Sequence, residues 1–228
     1  MLRRLGPVLI AAVGGIALVW LSVPRLAAQI HSAPHDQILR DLQTARPDAP
    51  VSGEAVRDAL KGKLAALAWL DDPRIRTDLG ALELLGASTF GYDTPTGRTL
   101  IDRAIESHVR GLSRDPAQPY AWTRLAIARL ARDGMSPELN ALLKMAIATA
   151  PREPQLVLER IDLALTVWQT LDNGARAMVY GQIVIAAEYY ERRLAQIAKR
   201  HHALPILLDA LKDDERMTRR VGFLYRRV

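Results

Sequence analysis

The chain has 228 residues, a formal charge of +6, 49% apolar and 5% aromatic residues, and no cysteine. That length buries one ordinary core or a run of about three helix hairpins. The lack of cysteine excludes disulfides, thiolate metal sites and cysteine catalysis, and arginines interspersed with acids argue against a dedicated nucleic-acid face. Apolar residues are mostly Ala and Leu, with few β-branched or aromatic ones outside the first segment, so helix is favoured over sheet.

Leu5 to Val23 (LGPVLIAAVGGIALVWLSV) carries no charged side chain, and about 20 such residues span a bilayer as a helix. Arg3 and Arg4 precede it and only Arg25 follows closely. That bias places the N-terminus in the cytoplasm and the remainder across the membrane. Trp20 falls where an interfacial aromatic is useful. A cleaved signal peptide is the competing reading, but its apolar part runs only about 7–15 residues and ends in small residues at −3 and −1. Cleavage after Ala27 or Ala28 would put Arg25 or Leu26 at −3, so an uncleaved anchor over residues 1–28 is favoured. Ala11 and Gly15 form a small-xxx-small pair, a weak signal for packing against another membrane helix.

Residues 29–51 read as a linker, holding a short helix from Asp36 to Arg46 and then Pro47-Asp48-Ala49-Pro50 as a spacer. His31 and His35 are four apart, but Pro34 interrupts a regular helix and only Asp36 is near as a third ligand. Solvated histidines are expected there, with no metal.

A helical domain over residues 52–203 begins with Ser52 as cap for a helix whose face is Val56, Ala59, Leu60, Leu64, Leu67 and Ala68. Asp72-Pro73 starts its partner, striped by Ile75, Leu79, Leu82 and Leu85 and stopping at Gly86. Ala87 to Gly97 (ASTFGYDTPTG) reads as a long loop rich in turn formers. Leu100, Ile101, Ala104, Ile105, Val109 and Leu112 stripe the next helix, which ends at Asp115-Pro116.

Then comes DPAQPYAWTRLAIARLARDGMSPELNALLKMAIATAPREP, two helical patterns joined by Gly134-Met135-Ser136-Pro137. Pro116 and Pro119 recur as Pro151 and Pro154, 35 residues further on. A self-match near 34 residues is the mark of stacked helix hairpins. Trp122, Leu125 and Ala126, a partner helix with Leu143 and Ala146, and a closing Pro151 resemble the tetratricopeptide (TPR) signature. The loop carries one extra residue, Arg129 stands where that family usually has an aromatic, and Val157, Arg160 and Ile161 replace the Trp-Leu-small set in the next unit. A basic N-terminal anchor followed by PYAWTRLAIARLA and PREPQLVLERIDLAL is similar to membrane-anchored TPR-like proteins of bacterial exopolysaccharide synthesis and export.

The resemblance implies an all-α fold, a transmembrane helix followed by a TPR-like stack of antiparallel hairpins. It implies partner binding on a concave face carrying Tyr120, Thr123 and Ile127 from one helix and Gln155, Leu158 and Asp162 from another. Gln155, Glu159, Asp162, Thr166 and Gln169 share one side of their helix, which reads equally as a solvated face.

Asn173-Gly174 begins a long helix with Met178, Val179, Ile183, Ala186, Ala187, Tyr190, Leu194 and Ile197 inward. Residues 204–228 read as capping helices docked by Val221, Phe223 and Leu224. Arg216, Arg219, Arg220, Arg226 and Arg227 form the local basic cluster, suited to an anionic glycan, anionic lipid or acidic partner; arginines late in a helix also simply suit its dipole. His201-His202 marks a helix end.

No GxSxG, phosphate-cradling glycine loop or HExxH occurs. Glu106-Ser107 matches the acid of lytic transglycosylases, without the glycine-rich and aromatic motifs that follow it in that family, and reads more simply as a rim carboxylate. The expectation is a non-enzymatic adaptor without cofactor in a bacterial inner membrane, its domain periplasmic and its partners other envelope or membrane proteins. A TPR chaperone domain in cytochrome c maturation and a glycan-cleaving enzyme using Glu106 are the alternatives.

Overall fold

A computed structural model describes residues 5–43 and 51–228, with side chains from 13–41 in the first stretch. Arg3, Arg4, Arg46, the Pro47–Pro50 spacer and the side chain of Ala11 therefore lie outside the described residues. The described chain is all-helical, without strands.

The helices are α1 (Leu5–Ser32), α2 (Asp36–Gln43), α3 (Gly53–Trp69), α4 (Pro73–Phe90), α5 (Pro95–Leu112) and α6 (Pro119–Asp133). They continue as α7 (Glu138–Thr149), α8 (Pro154–Thr166), α9 (Asn173–Tyr189), α10 (Glu191–Arg200), α11 (Leu204–Ala210) and α12 (Glu215–Arg227). Their starts follow local chemistry. Ser52, Asp72, Thr94, Asp172 and Asp214 each accept a hydrogen bond from a first-turn amide, and proline fills the first turn of α4, α5, α6, α8 and α11.

α3, α4 and α5 form antiparallel neighbours. Val56 of α3 meets Gly86 of α4, and Gly80, Glu83 and Gly86 of α4 meet His108, Ser107 and Leu100 of α5. The main core runs from Leu84 on α4 to Val221 on α12, and a smaller cluster of Leu39, Ala59, Ala81 and Leu82 lies under α2. The α6–α7 pair contributes Leu125, Ala126, Leu139, Leu143 and Ile147 to the main core.

Several expectations are corrected. The stretch from Ala87 is not a long loop. Ala87 is buried and α4 runs on to Phe90; the Ser88 and Thr89 hydroxyls donate back to the Leu85 carbonyl at 2.8 and 2.9 Å, which lets these turn formers sit in a helix. Gly91, at φ 91°, makes the turn. Thr94 then caps α5, accepting from the Gly97 amide at 3.0 Å. The long C-terminal helix is two, broken at Tyr190, whose φ of −139° leaves the helical region. Val221 is buried as expected, but Phe223 is 46% exposed, with the Arg227 guanidinium 4.2 Å from its ring centroid.

The described part of the expected linker packs as well. α1 extends to Ser32, Ala28 and Ser32 are buried, and Leu39 of α2 joins the smaller cluster. Lys63 of α3, fully buried, donates to Ser32 Oγ at 2.7 Å, Asp36 Oδ1 at 2.7 Å and Asp78 Oδ2 at 3.0 Å. An ammonium taken out of water requires such partners. Among the described residues α1 is also the one helix long and apolar enough to cross a membrane, and Val13, Ile16, Leu18, Val19 and Trp20 are all exposed on it.

Candidate functional site

One groove of about 560 Å³ crosses the body, lined by α4, α6, α8 and α10. It is thus built from alternate helices of the chain. Tyr92 follows α4, Tyr120 opens α6, and Tyr190 sits at the α9–α10 break, so three phenols border the same space. The kink at Tyr190 directs its side chain and Arg193 to the groove while Leu194 and Ala195 stay in the interior. Ile127, Leu158 and Ile197 supply apolar wall.

The expected concave residues are placed as follows. Tyr120, Ile127, Gln155, Leu158 and Asp162 all line the groove. Thr123 does not: it is fully buried, its hydroxyl donates to the Pro119 carbonyl at 3.0 Å and it faces Arg160 Nε at 3.4 Å. Arg160, also fully buried, donates to the Ala150 carbonyl at 2.8 Å, and burial pushes its guanidinium down to about 10. The position where the repeat signature would hold a Leu is therefore an internal polar clamp between α6 and the α7–α8 turn.

Arg124 takes the place assigned to Thr123. Its guanidinium lies 5.6 Å from the Tyr120 ring centroid. Together these two residues divide the groove from a second cleft of about 370 Å³ bounded by Arg74, Asp78 and Gln118. Burial lowers the affinity of Arg124 for its proton, opposed by Glu159 and Asp78. Desolvation along the groove wall raises the Glu159 carboxyl, opposed by Arg124 and Arg160, although the residue as a whole is exposed. Positions 120, 124 and 127 share a helix face, which was the signal available for Arg124. Tyr92 stands in the turn between α4 and α5, within the stretch expected as a loop, whereas Tyr190 reads from the sequence as an inward residue of one unbroken helix.

The Tyr120 hydroxyl lies 2.9 Å from Glu153 Oε1 and 2.8 Å from Gln155 Oε1, its single proton shared between them. It joins the two proline turns that are 35 residues apart. Burial and the Glu153 carboxylate raise the phenol's pKa. Asp162 accepts from Arg200 at 3.1 Å and lies 2.7 Å from His201 Nε2, so the groove's floor is tied to the end of α10. Trp122 stays outside the groove and donates to the Pro116 carbonyl at 2.8 Å.

Elsewhere the candidates separate. Glu106 is held on the surface by Arg110 at 2.6 Å, while Ser107 turns inward and donates to Glu83 Oε2 at 2.7 Å. Glu83 is only 5% exposed, and burial pushes its carboxyl up to about 7. In the basic cluster, Arg220 donates to Glu191 at 2.6 Å, Arg219 lies 3.6 Å from Glu215, and Arg227 stacks on Phe223. Arg216 and Arg226 are exposed. His35 is half-buried against Gly62, while His31 is exposed. No group of three or more His, Asp or Glu arranged for a metal occurs among the described residues.

No family model matches the chain, and no curated protein matches it.

Proposed function

We propose that the chain is a non-enzymatic, membrane-anchored adaptor whose TPR-like stack of hairpins binds and positions other envelope proteins. One observation carries the reading: alternate helices α4, α6, α8 and α10 share a single open groove, bordered by three tyrosines and carrying both Arg124 and Arg193 and both Glu159 and Asp162. Aromatic rings with charges of both signs suit an extended or helical protein segment, which offers apolar side chains and backbone polar groups together. Glu106, paired with Arg110 on the surface, and Glu83, bonded to Ser107 in the interior, both lie outside that groove.

In this reading α1 spans a bacterial inner membrane with its N-terminal end cytoplasmic, and α3 to α12 stand on the periplasmic face. The resemblance of PYAWTRLAIARLA and PREPQLVLERIDLAL to exopolysaccharide-associated proteins directs the search to a synthesis or export complex. The test is crosslinking and pull-down from membranes, comparing wild type with Arg193→Glu and Tyr92→Ala, two groove residues outside the core. Loss of the same partners in both variants supports the adaptor reading. Unchanged partners refute this groove, and turnover of purified glycan by the wild type refutes the non-enzymatic assignment.

A further inference from the structure

α1 and α3 lie side by side in opposite directions. At one end Lys63 holds Ser32 and Asp36, and Gly62 lies against His35. At the other end Trp69, the last residue of α3, faces Gly15, Ile16, Val19, Trp20, Val23 and Pro24 across a cleft of about 750 Å³. Trp69 is 52% exposed and Trp20 77%. Every residue lining the cleft is apolar or glycine, so in water it would be a costly surface.

The exposed side of α3 changes character along its length. Glu54, Arg57, Asp58 and Lys61 are exposed in its first half; Leu64, Ala68 and Trp69 are exposed in its second. The change to apolar residues occurs toward the end that runs beside the apolar part of α1. Two neighbouring helices thus turn apolar side chains outward at the same level.

We propose that the α3–α4 corner is a second membrane contact: Trp69, with Leu64 and Ala68, enters the bilayer interface beside α1, and lipid acyl chains fill the cleft between them. This rests on α1 spanning the membrane. The cleft runs from residue 15 to 24 of α1, about 14 Å at 1.5 Å per residue, and a hydrocarbon core takes about 20 helical residues. A bilayer that encloses residues 5–23 therefore reaches Trp69, an aromatic suited to the interface. The charge at the corner is accommodated there. Asp71 is paired with Arg76 and Arg114, and Asp72 caps α4. Lys63 couples this corner to α2, so the domain stands on the membrane in a fixed orientation.

The test uses the full chain with Trp20, Trp122 and Trp168 each changed to Phe, leaving Trp69 as the sole indole. It is reconstituted in phosphatidylcholine vesicles whose acyl chains carry bromine. Loss of most Trp69 emission, with little quenching by aqueous acrylamide, is the expected result. Quenching by acrylamide but not by bromine places Trp69 in water; quenching by neither places it under protein, such as a second copy. Either overturns the proposal. Because the chain lacks cysteine, Trp69→Cys carrying a polarity-sensitive dye repeats the measurement should the triple variant not fold. Flotation with the vesicles separates the two readings: a chain that floats after an alkaline wash but leaves Trp69 unquenched refutes the corner alone, and a chain that does not float refutes the anchor.

Discussion

The Lys63 ammonium lies 2.7 Å from the Asp36 carboxylate, and this pair joins the segment following α1 to the body of the protein. Asp78 completes the site at 3.0 Å. Burial raises the Asp78 carboxyl while Lys63 pulls it down. Replacing Lys63 by Met leaves two carboxylates without their cation. The expected loss is about 3–5 kcal/mol, the usual result of breaking a buried ion pair from one side. Chemical denaturation of the full chain in detergent measures it, and amide exchange should rise over Asp36–Gln43.

Glu83 sets a pH dependence. Its carboxyl is at about 7 in the fold against 4.5 as a free side chain, so the folded chain holds a proton that the unfolded chain releases. Its stabilising contribution is complete below about pH 4.5 and is lost as pH rises through about 7, a span worth on the order of 3 kcal/mol. Glu83→Gln keeps an acceptor for Ser107 and should abolish that decline in a pH series of melting curves.

His108 acts in the opposite direction. Neither ring nitrogen has a partner, the residue is fully buried, and burial pushes its pKa down to about 3 from 6.5. Stability linked to it is present above about pH 6.5 and is lost as pH falls toward 3. His108→Leu removes two unpaired buried polar atoms while filling the same space beside Gly80. The expected outcome is a gain of about 1 kcal/mol at neutral pH and a shallower acid limb.

Two glycines should respond with opposite signs to alanine. A Cβ on Gly97 would collide with the Gly91 carbonyl, a backbone atom of the α4–α5 turn, so Gly97→Ala should cost about 1–3 kcal/mol. Gly181 lies exposed in α9 with nothing near its Cβ direction, so Gly181→Ala should stabilise by about 0.5–1 kcal/mol. Paired melting curves read both.

Much of the fold was legible because helix signals are local. Caps such as Ser52 and Asp72, first-turn prolines and apolar stripes lie within a few residues of what they specify. The α4–α5 turn reads from the sequence as a longer loop although Thr94-Pro95 repeats the Asp72-Pro73 signal, because turn formers crowd the residues before the cap. The break at Tyr190 has no local mark: α9 and α10 read as one amphipathic helix, and only tertiary packing, α9 chiefly on α8 and α10 chiefly on α12, separates them.

The sequence by itself determined an all-helical chain led by an apolar helix of membrane-crossing length. The tertiary structure decided which polar groups are enclosed. Lys63, Glu83, His108 and Arg160 sit at helix positions whose sequence neighbours look ordinary. What buries them comes from elements distant in the chain, as with Lys63 and Ser32, Glu83 and Ser107, and Arg160 and Thr123. Periodicity reports the face a residue shares along its own helix, whereas desolvation and hydrogen bonding depend on what the opposing helix places there.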